Sequence, residues 1–196
     1  TTVTVSDAAS VSQLTTIDGT TDATLAITAV TDNAVNIVAA NGTGLSSFVQ
    51  TNTNVTVSDA ATIAQLTAID AQATGGTLSY SLMSDTASNL ATNTGTYVKN
   101  GLTTVTVSDA ATIAQLTTID GTTDATLSYS LMSDTASNLV TNSGTYVKNG
   151  LTTVTVSDAA SVSQLTTIDA TTDATLSYSL MSDTASNLAT NTGTYV

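Results

Sequence analysis

Apolar and polar positions along this chain alternate in short bursts and then change to a three-residue spacing. Val3 and Val5 flank Thr4, a period of two that predicts a short strand with β-branched residues on a buried face. Ala8, Val11, Leu14 and Ile17 then recur every third residue, as do Ala60, Ile63, Leu66 and Ile69, and Ala110, Ile113, Leu116 and Ile119. That spacing predicts a helix of roughly two to three turns, α or partly 3₁₀, with one apolar stripe. The Ser-Asp in front of it, Ser6-Asp7 in the first copy, supplies an N-cap whose oxygen takes a free backbone N–H. The run closes on Asp18-Gly-Thr-Thr-Asp22, a turn signal.

This stretch, VTVSDAATIAQLTTID at Val105–Asp120, recurs at Val3–Asp18, Val55–Asp70 and Val154–Asp169. Between copies lies a second theme, LSYSLMSDTASNLVTNSGTYV at Leu127–Val147. In it Leu78, Tyr80 and Leu82 alternate, but Met83 breaks the pattern and predicts a bulge or bend there. The helical piece after Asp85 is short, with Gly95 as its stop. The Asp after each strand-like run falls at Asp7, Asp32, Asp59, Asp85, Asp109, Asp134, Asp158 and Asp183, in steps of 24 to 27 residues. A period near 25 held over eight units is a repeat signal, with boundaries at about residues 1–24, 25–52, 53–76, 77–101, 102–125, 126–150, 151–174 and 175–196. Length changes sit in turns, as in Ala71–Thr77 and around Asn41–Asn52.

One such unit cannot bury its own apolar stripe, whereas stacked units cover one another. The expected fold is therefore an α/β solenoid of eight coils in a single repeat array, right-handed, with a parallel sheet on one side and short helices or helical turns on the other. The alternative is an all-β parallel β-helix, favoured by Thr and Ile content and opposed by the three-residue spacing. The tyrosines fall in two series, Tyr80, Tyr129, Tyr178 and Tyr97, Tyr146, Tyr195, spaced by 49 residues. Two coils amount to about 9.6 Å at strand spacing, too far for direct ring stacking, so a smaller apolar residue is expected between them.

Composition narrows the function. Fifteen acidic residues against two basic ones give a net charge of −13, and every acid is Asp. Such a chain is repelled by phosphate backbones, which argues against nucleic-acid binding. Only 9% of residues are charged and 41% are hydrophobic, unlike a disordered acidic tail. Without Cys there is no disulfide or thiolate site, and no apolar run is long enough to insert in a membrane. The chain opens on Thr1-Thr2-Val3, without Met or an apolar leader, and reads as a segment of a longer array.

Candidate chemistry is sparse. Eight carboxylates in file would repel one another, and calcium between them would relieve this. The competing reading, in which each Asp caps the helical turn that follows it, is the stronger. Asp18/Asp22, Asp120/Asp124 and Asp169/Asp173 flank turns that could hold a weak ion, though a solvated turn accounts for them. Thr-x-Thr at Thr2/Thr4, Thr104/Thr106 and Thr153/Thr155 resembles an ice-ordering array, but Ser-Tyr-Ser interrupts it. No His is present to activate a Ser or Thr, and Lys99 and Lys148 sit in exposed Lys-Asn-Gly turns. An Asp pair for glycoside hydrolysis is not singled out among near-identical repeats. The chain is therefore read as no enzyme, and no residue is assigned a catalytic, cofactor-binding or metal-ligating role. Asn41-Gly-Thr and Asn54-Val-Thr fit the glycosylation acceptor pattern.

VTVSDAATIAQLTTID and SDTASNLATN resemble VTDxAANLA-type repeats of very large secreted or cell-surface bacterial proteins, cyanobacterial and proteobacterial among them, over essentially the whole chain. The resemblance implies an extracellular structural or adhesive role, as in a stalk, a fibre or an S-layer-like sheet. Both ends offer open sheet edges, which are expected to meet further repeats of the same chain or another copy of it, end to end. The alternatives are an adhesin that binds glycan or ice through one face, and a calcium-stabilised surface module.

Overall fold

The computed structural model describes residues 1–38 and 46–196. It is an α/β arrangement in which helices alternate with strands of parallel two- and three-stranded sheets. Contacts divide it into two compact units. Unit one is Thr1–Asp85, Gly95–Thr106 and Thr123–Thr126; unit two is Thr86–Thr94, Val107–Thr122 and Leu127–Val196. The Asn41-Gly-Thr acceptor, and part of the second repeat's extra length, lie outside the described residues.

Unit one holds β1 (Thr2–Val5), α1 (Val11–Asp18), β2 (Thr24–Ile27), β3 (Ala29–Asp32), α2 (Ala34–Ile37), β4 (Asn54–Val57), α3 (Ile63–Gln72), β5 (Leu78–Ser79), β6 (Leu82–Asp85) and most of β7 (Thr104–Val107). β1 pairs with β2, setting Val3 opposite Leu25. β4 lies between β3 and β5, with Val55 opposite both Val30 and Leu78. Along β4 the valines are buried and Asn54 and Thr56 exposed, so the period of two sorts core from solvent.

Unit two holds α4 (Ala87–Thr92), α5 (Ile113–Asp120), most of β8 (Thr126–Ser128), β9 (Leu131–Asp134), α6 (Ala136–Thr141), β10 (Thr153–Val156), α7 (Val162–Asp169), β11 (Thr175–Tyr178) and α8 (Ala185–Thr190). β10 lies between β9 and β11, with Val154 opposite Met132 on one side and Leu176 on the other. α4 packs on α5, and α6 on α7.

The two sheets share a logic. In unit one AVTD of β3 and the Leu-Ser of β5 flank NVTV, and in unit two LMSD of β9 and TLSY of β11 flank TVTV, so the second theme splits its apolar run between two different partners. The chain must step between neighbours, and it does so at Tyr80-Ser81, where a bend separates β5 from β6. The break expected at Met83 is therefore displaced; Met83 lies within β6 and is fully buried.

The helices begin later than the pattern implied. Ala8 and Ala9 precede α1, and Ala9 bridges to Val30. The N-caps are Ser10, Thr62, Thr112 and Ser161, each closing a capping box with Gln13, Gln65, Gln115 and Gln164. The Asp in front of each run therefore does not cap the helix that follows. Leu14, Leu66, Leu116 and Leu165 on the inner face are all 0% exposed. Burying each such Leu is worth about 1.5–3 kcal/mol. The extra residues at Ala71–Thr77 lengthen α3 to Gln72, and Gly76 then turns against the backbone of Thr53, where a Cβ would overlap its carbonyl. Gly95 lies two residues past the C-cap Asn93, at φ +81°.

Candidate functional site: an aspartate ladder between repeats

A helix leaves its first N–H groups without intrahelical partners. In α1, Ser10 Oγ accepts from the Gln13 N–H at 3.2 Å and Gln13 Oε1 from the Ser10 N–H at 2.9 Å. The first helical N–H, that of Val11, is still unserved by these. It donates to Asp32 Oδ2 at 3.0 Å, a carboxylate 21 residues further on, in the next repeat.

The pattern then runs along the chain. The Ile63 N–H donates to Asp85 Oδ2 and the Ile113 N–H to Asp134 Oδ2, both at 2.8 Å, and the Val162 N–H to Asp183 Oδ2 at 2.9 Å. In the alternate repeats, the N–H groups of Ala34, Ala87 and Ala136 donate to Oδ1 of Asp59, Asp109 and Asp158, each at 2.7 Å. So every ladder aspartate from Asp32 to Asp183 caps the helix of the repeat before its own. The sequence reading located these carboxylates and gave them a capping role, but on the wrong helix. Each also meets the positive end of that helix dipole.

The second-theme aspartates do more. Asp134 Oδ1 accepts from the Thr135 N–H and from Asn138 Nδ2, and Asp183 makes the same pair with Thr184 and Asn187. Hydrogen bonds from Asn187, Thr184 and Val162 hold the Asp183 pKa below its usual value. At Asp32 partial burial works in the opposite direction, and bonds from Asn36, Asn33 and Val11 outweigh it, so the net shift is also downward.

The turn aspartates join repeats too. Asp124 Oδ1 accepts from the Gly101 N–H at 2.8 Å and Asp173 Oδ1 from the Gly150 N–H at 2.7 Å. Gly101 has φ +91°, a conformation other residues avoid. Asp120 and Asp169 accept from the Tyr146 and Tyr195 hydroxyls at 3.2 Å. Among the described residues, no three acidic side chains gather closely enough to hold a metal ion.

The tyrosines form clamps. The Tyr80, Tyr129 and Tyr178 hydroxyls donate to the carbonyls of Tyr97, Tyr146 and Tyr195, each at 2.9 Å. Burial, with the negative charges of the neighbouring tyrosine and aspartate added, pushes Tyr80 and Tyr129 up to about 12. Burial also raises Tyr146 and Tyr195. Lys99 and Lys148 are exposed, as their turns implied, yet each ammonium lies 5.4 Å from the centroid of Tyr80 or Tyr129. These contacts escaped sequence reading, which expected a small apolar neighbour for the rings. The Lys-Tyr spacing of 19 residues, repeated twice, was the available signal.

The remaining candidates are scattered. Thr153 stands between Leu131 and Thr175, and Thr155 between Ser133 and Ser177, so the Thr rows do not continue across the sheet. Asn54 Oδ1 accepts from the Thr77 N–H and hydroxyl, each at 3.0 Å. No described helix is long and apolar enough to cross a membrane. The chain matches no family model, no curated protein and no solved structure.

Proposed function

We propose that this chain is an extracellular structural repeat protein, a stalk, fibre or surface-layer element of a bacterial cell surface that assembles end to end. Its repeats are read as the coils of one α/β solenoid, each supplying the interior and the helix caps of the coil before it. The observation that carries this reading is the aspartate ladder. From Asp32 to Asp183, a carboxylate in each repeat accepts the first helical N–H of its predecessor. Polar chemistry repeated in this way joins neighbours and lengthens by duplication, and a solenoid gains stability with each added interface. A substrate site calls instead for unlike groups converging on one point. The surrounding chemistry agrees: the Tyr clamps and the turn aspartates also tie one stretch of backbone to another.

Electron microscopy of the purified chain at high concentration, beside the native material, tests this role. Unbranched filaments of uniform width are expected. Dispersed compact particles in both preparations would remove the structural role.

A further inference from the structure

Two Lys-Asn-Gly turns carry chemistry that the ladder does not use. Lys99-Asn100-Gly101 and Lys148-Asn149-Gly150 each follow a buried valine, Val98 or Val147, and lie exposed. Gly101 and Gly150 hold φ +91° and +92°, and a Cβ at either would meet nothing within 4 Å. The glycines are therefore required by backbone conformation and not by crowding. The Asn100 and Asn149 side chains make no hydrogen bond among the described residues.

Asn-Gly is a reactive pair, because glycine has no side chain to shield its nitrogen. The Gly N–H loses its proton to a base from solvent, the nitrogen bonds to the Asn Cγ, and the Cγ–Nδ2 bond breaks with release of ammonia. Water then opens the cyclic imide. Cleavage at Cγ leaves Asp, and cleavage at the main-chain carbonyl leaves isoaspartate. Water is consumed and ammonia released, with no change of oxidation state.

The next repeat grips each turn on both sides of its asparagine. Thr123 Oγ1 donates to the Lys99 carbonyl at 2.9 Å, and Asp124 Oδ1 accepts from the Gly101 N–H at 2.8 Å. Thr172 and Asp173 hold Lys148 and Gly150 in the same way, at 2.9 and 2.7 Å. The first grip lies within unit one and the second within unit two. Thr123 and Thr172 are buried, and each hydroxyl also accepts from the N–H of Ala125 or Ala174 at 3.1 Å. The second repeat supplies a contrast. After its buried Val49 it reads Gln50-Thr51-Asn52, and the turn of the third repeat has Gly75 where the fifth has Asp124. There the Asn52 N–H, at φ +66°, donates to the Thr74 carbonyl at 3.0 Å. The carboxylate stands opposite an Asn-Gly pair and is missing where that pair is missing.

We propose that Asn100 and Asn149 are self-modification sites, kept unreacted by the Thr-Asp pair of the following repeat. The Asp carboxylate opposes the reaction twice. It engages the proton that has to depart, and its negative charge disfavours the amide anion that attacks. A carboxylate is also far too weak a base to take an amide proton itself. The two anchors fix the peptide groups flanking the asparagine, so the nitrogen cannot swing onto Cγ while the junction is closed. Conversion follows the opening of a junction, and closing the junction does not reverse it. Isoaspartate adds a methylene to the main chain, and either product places a new carboxylate close to the one that held the glycine. Each turn thus records that its junction has opened. The inference holds whether or not the chain assembles end to end.

Incubation of the whole chain in mildly alkaline buffer tests this, with peptide mapping by mass spectrometry to separate Asn, Asp and isoaspartate. Asp124→Ala should speed conversion of Asn100 about tenfold or more, the factor set by losing a hydrogen bond to a charged group. Asn149 in the same molecule should keep its parent rate, which also shows that the fold persists. Asp173→Ala should do the reverse. The peptide Lys-Asn-Gly-Leu-Thr-Thr sets the unrestrained rate, toward which the freed turn moves. Asn100 that reacts no faster in Asp124→Ala than in the parent, or Asn100 and Asn149 that accelerate together, would overturn the proposal. So would a parent chain whose two turns already react at the rate of the peptide.

Discussion

Tyr80 shows how much one side chain does in this chain. Its hydroxyl reaches the carbonyl of Tyr97, 17 residues on, and its ring lies beneath the Lys99 ammonium. Tyr129 repeats both contacts with Tyr146 and Lys148. A phenol that ionises there gives up a donated hydrogen bond and places a charge in a partly buried site. The folded value of about 12 stands above the ordinary 10. The stabilisation is thus whole below pH 10 and is lost as pH rises through 12. Urea unfolding followed across that range should show the midpoint falling steadily. Tyr80→Phe with Tyr129→Phe should lower stability at pH 7 by about 1 kcal/mol per lost bond and flatten the alkaline fall. An unchanged alkaline slope in the double variant would show that these phenols do not carry it.

At the scale of the element, the unit of construction is a short helix with two sources of caps. Except in α2, whose N-cap Asn33 makes no side-chain bond, its own Ser or Thr serves an N–H inside the first turn, and the next repeat's Asp serves the first N–H of all. Removing the second source should cost what a lost cap costs. Asp109→Ala, which strips the Ala87 N–H of its acceptor, should destabilise by about 1–2 kcal/mol in urea unfolding. Asp7→Ala, at an exposed carboxylate, should stay within about 0.5 kcal/mol. Equal costs at the two positions would mean that the ladder bonds contribute nothing specific. The strands, helices and repeat were legible because periods of two and three residues are local signals, and Val105 or Leu116 ends up buried as its spacing implied. The caps were legible in part: Ser10-x-x-Gln13 and Thr62-x-x-Gln65 are box signatures, masked by the more conspicuous Ser-Asp upstream. The direction of the Asp bond was not legible. A carboxylate ahead of a helix signals a cap, but only the stacking of repeats decides whether the nearest free N–H lies in its own repeat or 21 to 25 residues earlier. The division of the LSYSLMSD theme, with LMSD and LSY on opposite sides of a TVTV strand, was hidden for the same reason, since pairing partners are remote in sequence.

At the scale of the whole molecule, the proposed solenoid stacking and end-to-end assembly make one claim: each repeat is completed by the one after it. Strands stacked along an axis advance by about 4.8 Å per repeat. The alternation of two themes doubles this to about 9.6 Å. X-ray diffraction from aligned filaments of the chain measures the direction of stacking without reference to any single contact. Reflections near 4.8 Å and 9.6 Å along the filament axis are the expected result. Filaments whose 4.8 Å spacing runs across the axis, or that lack it altogether, would contradict stacking of repeats along the fibre.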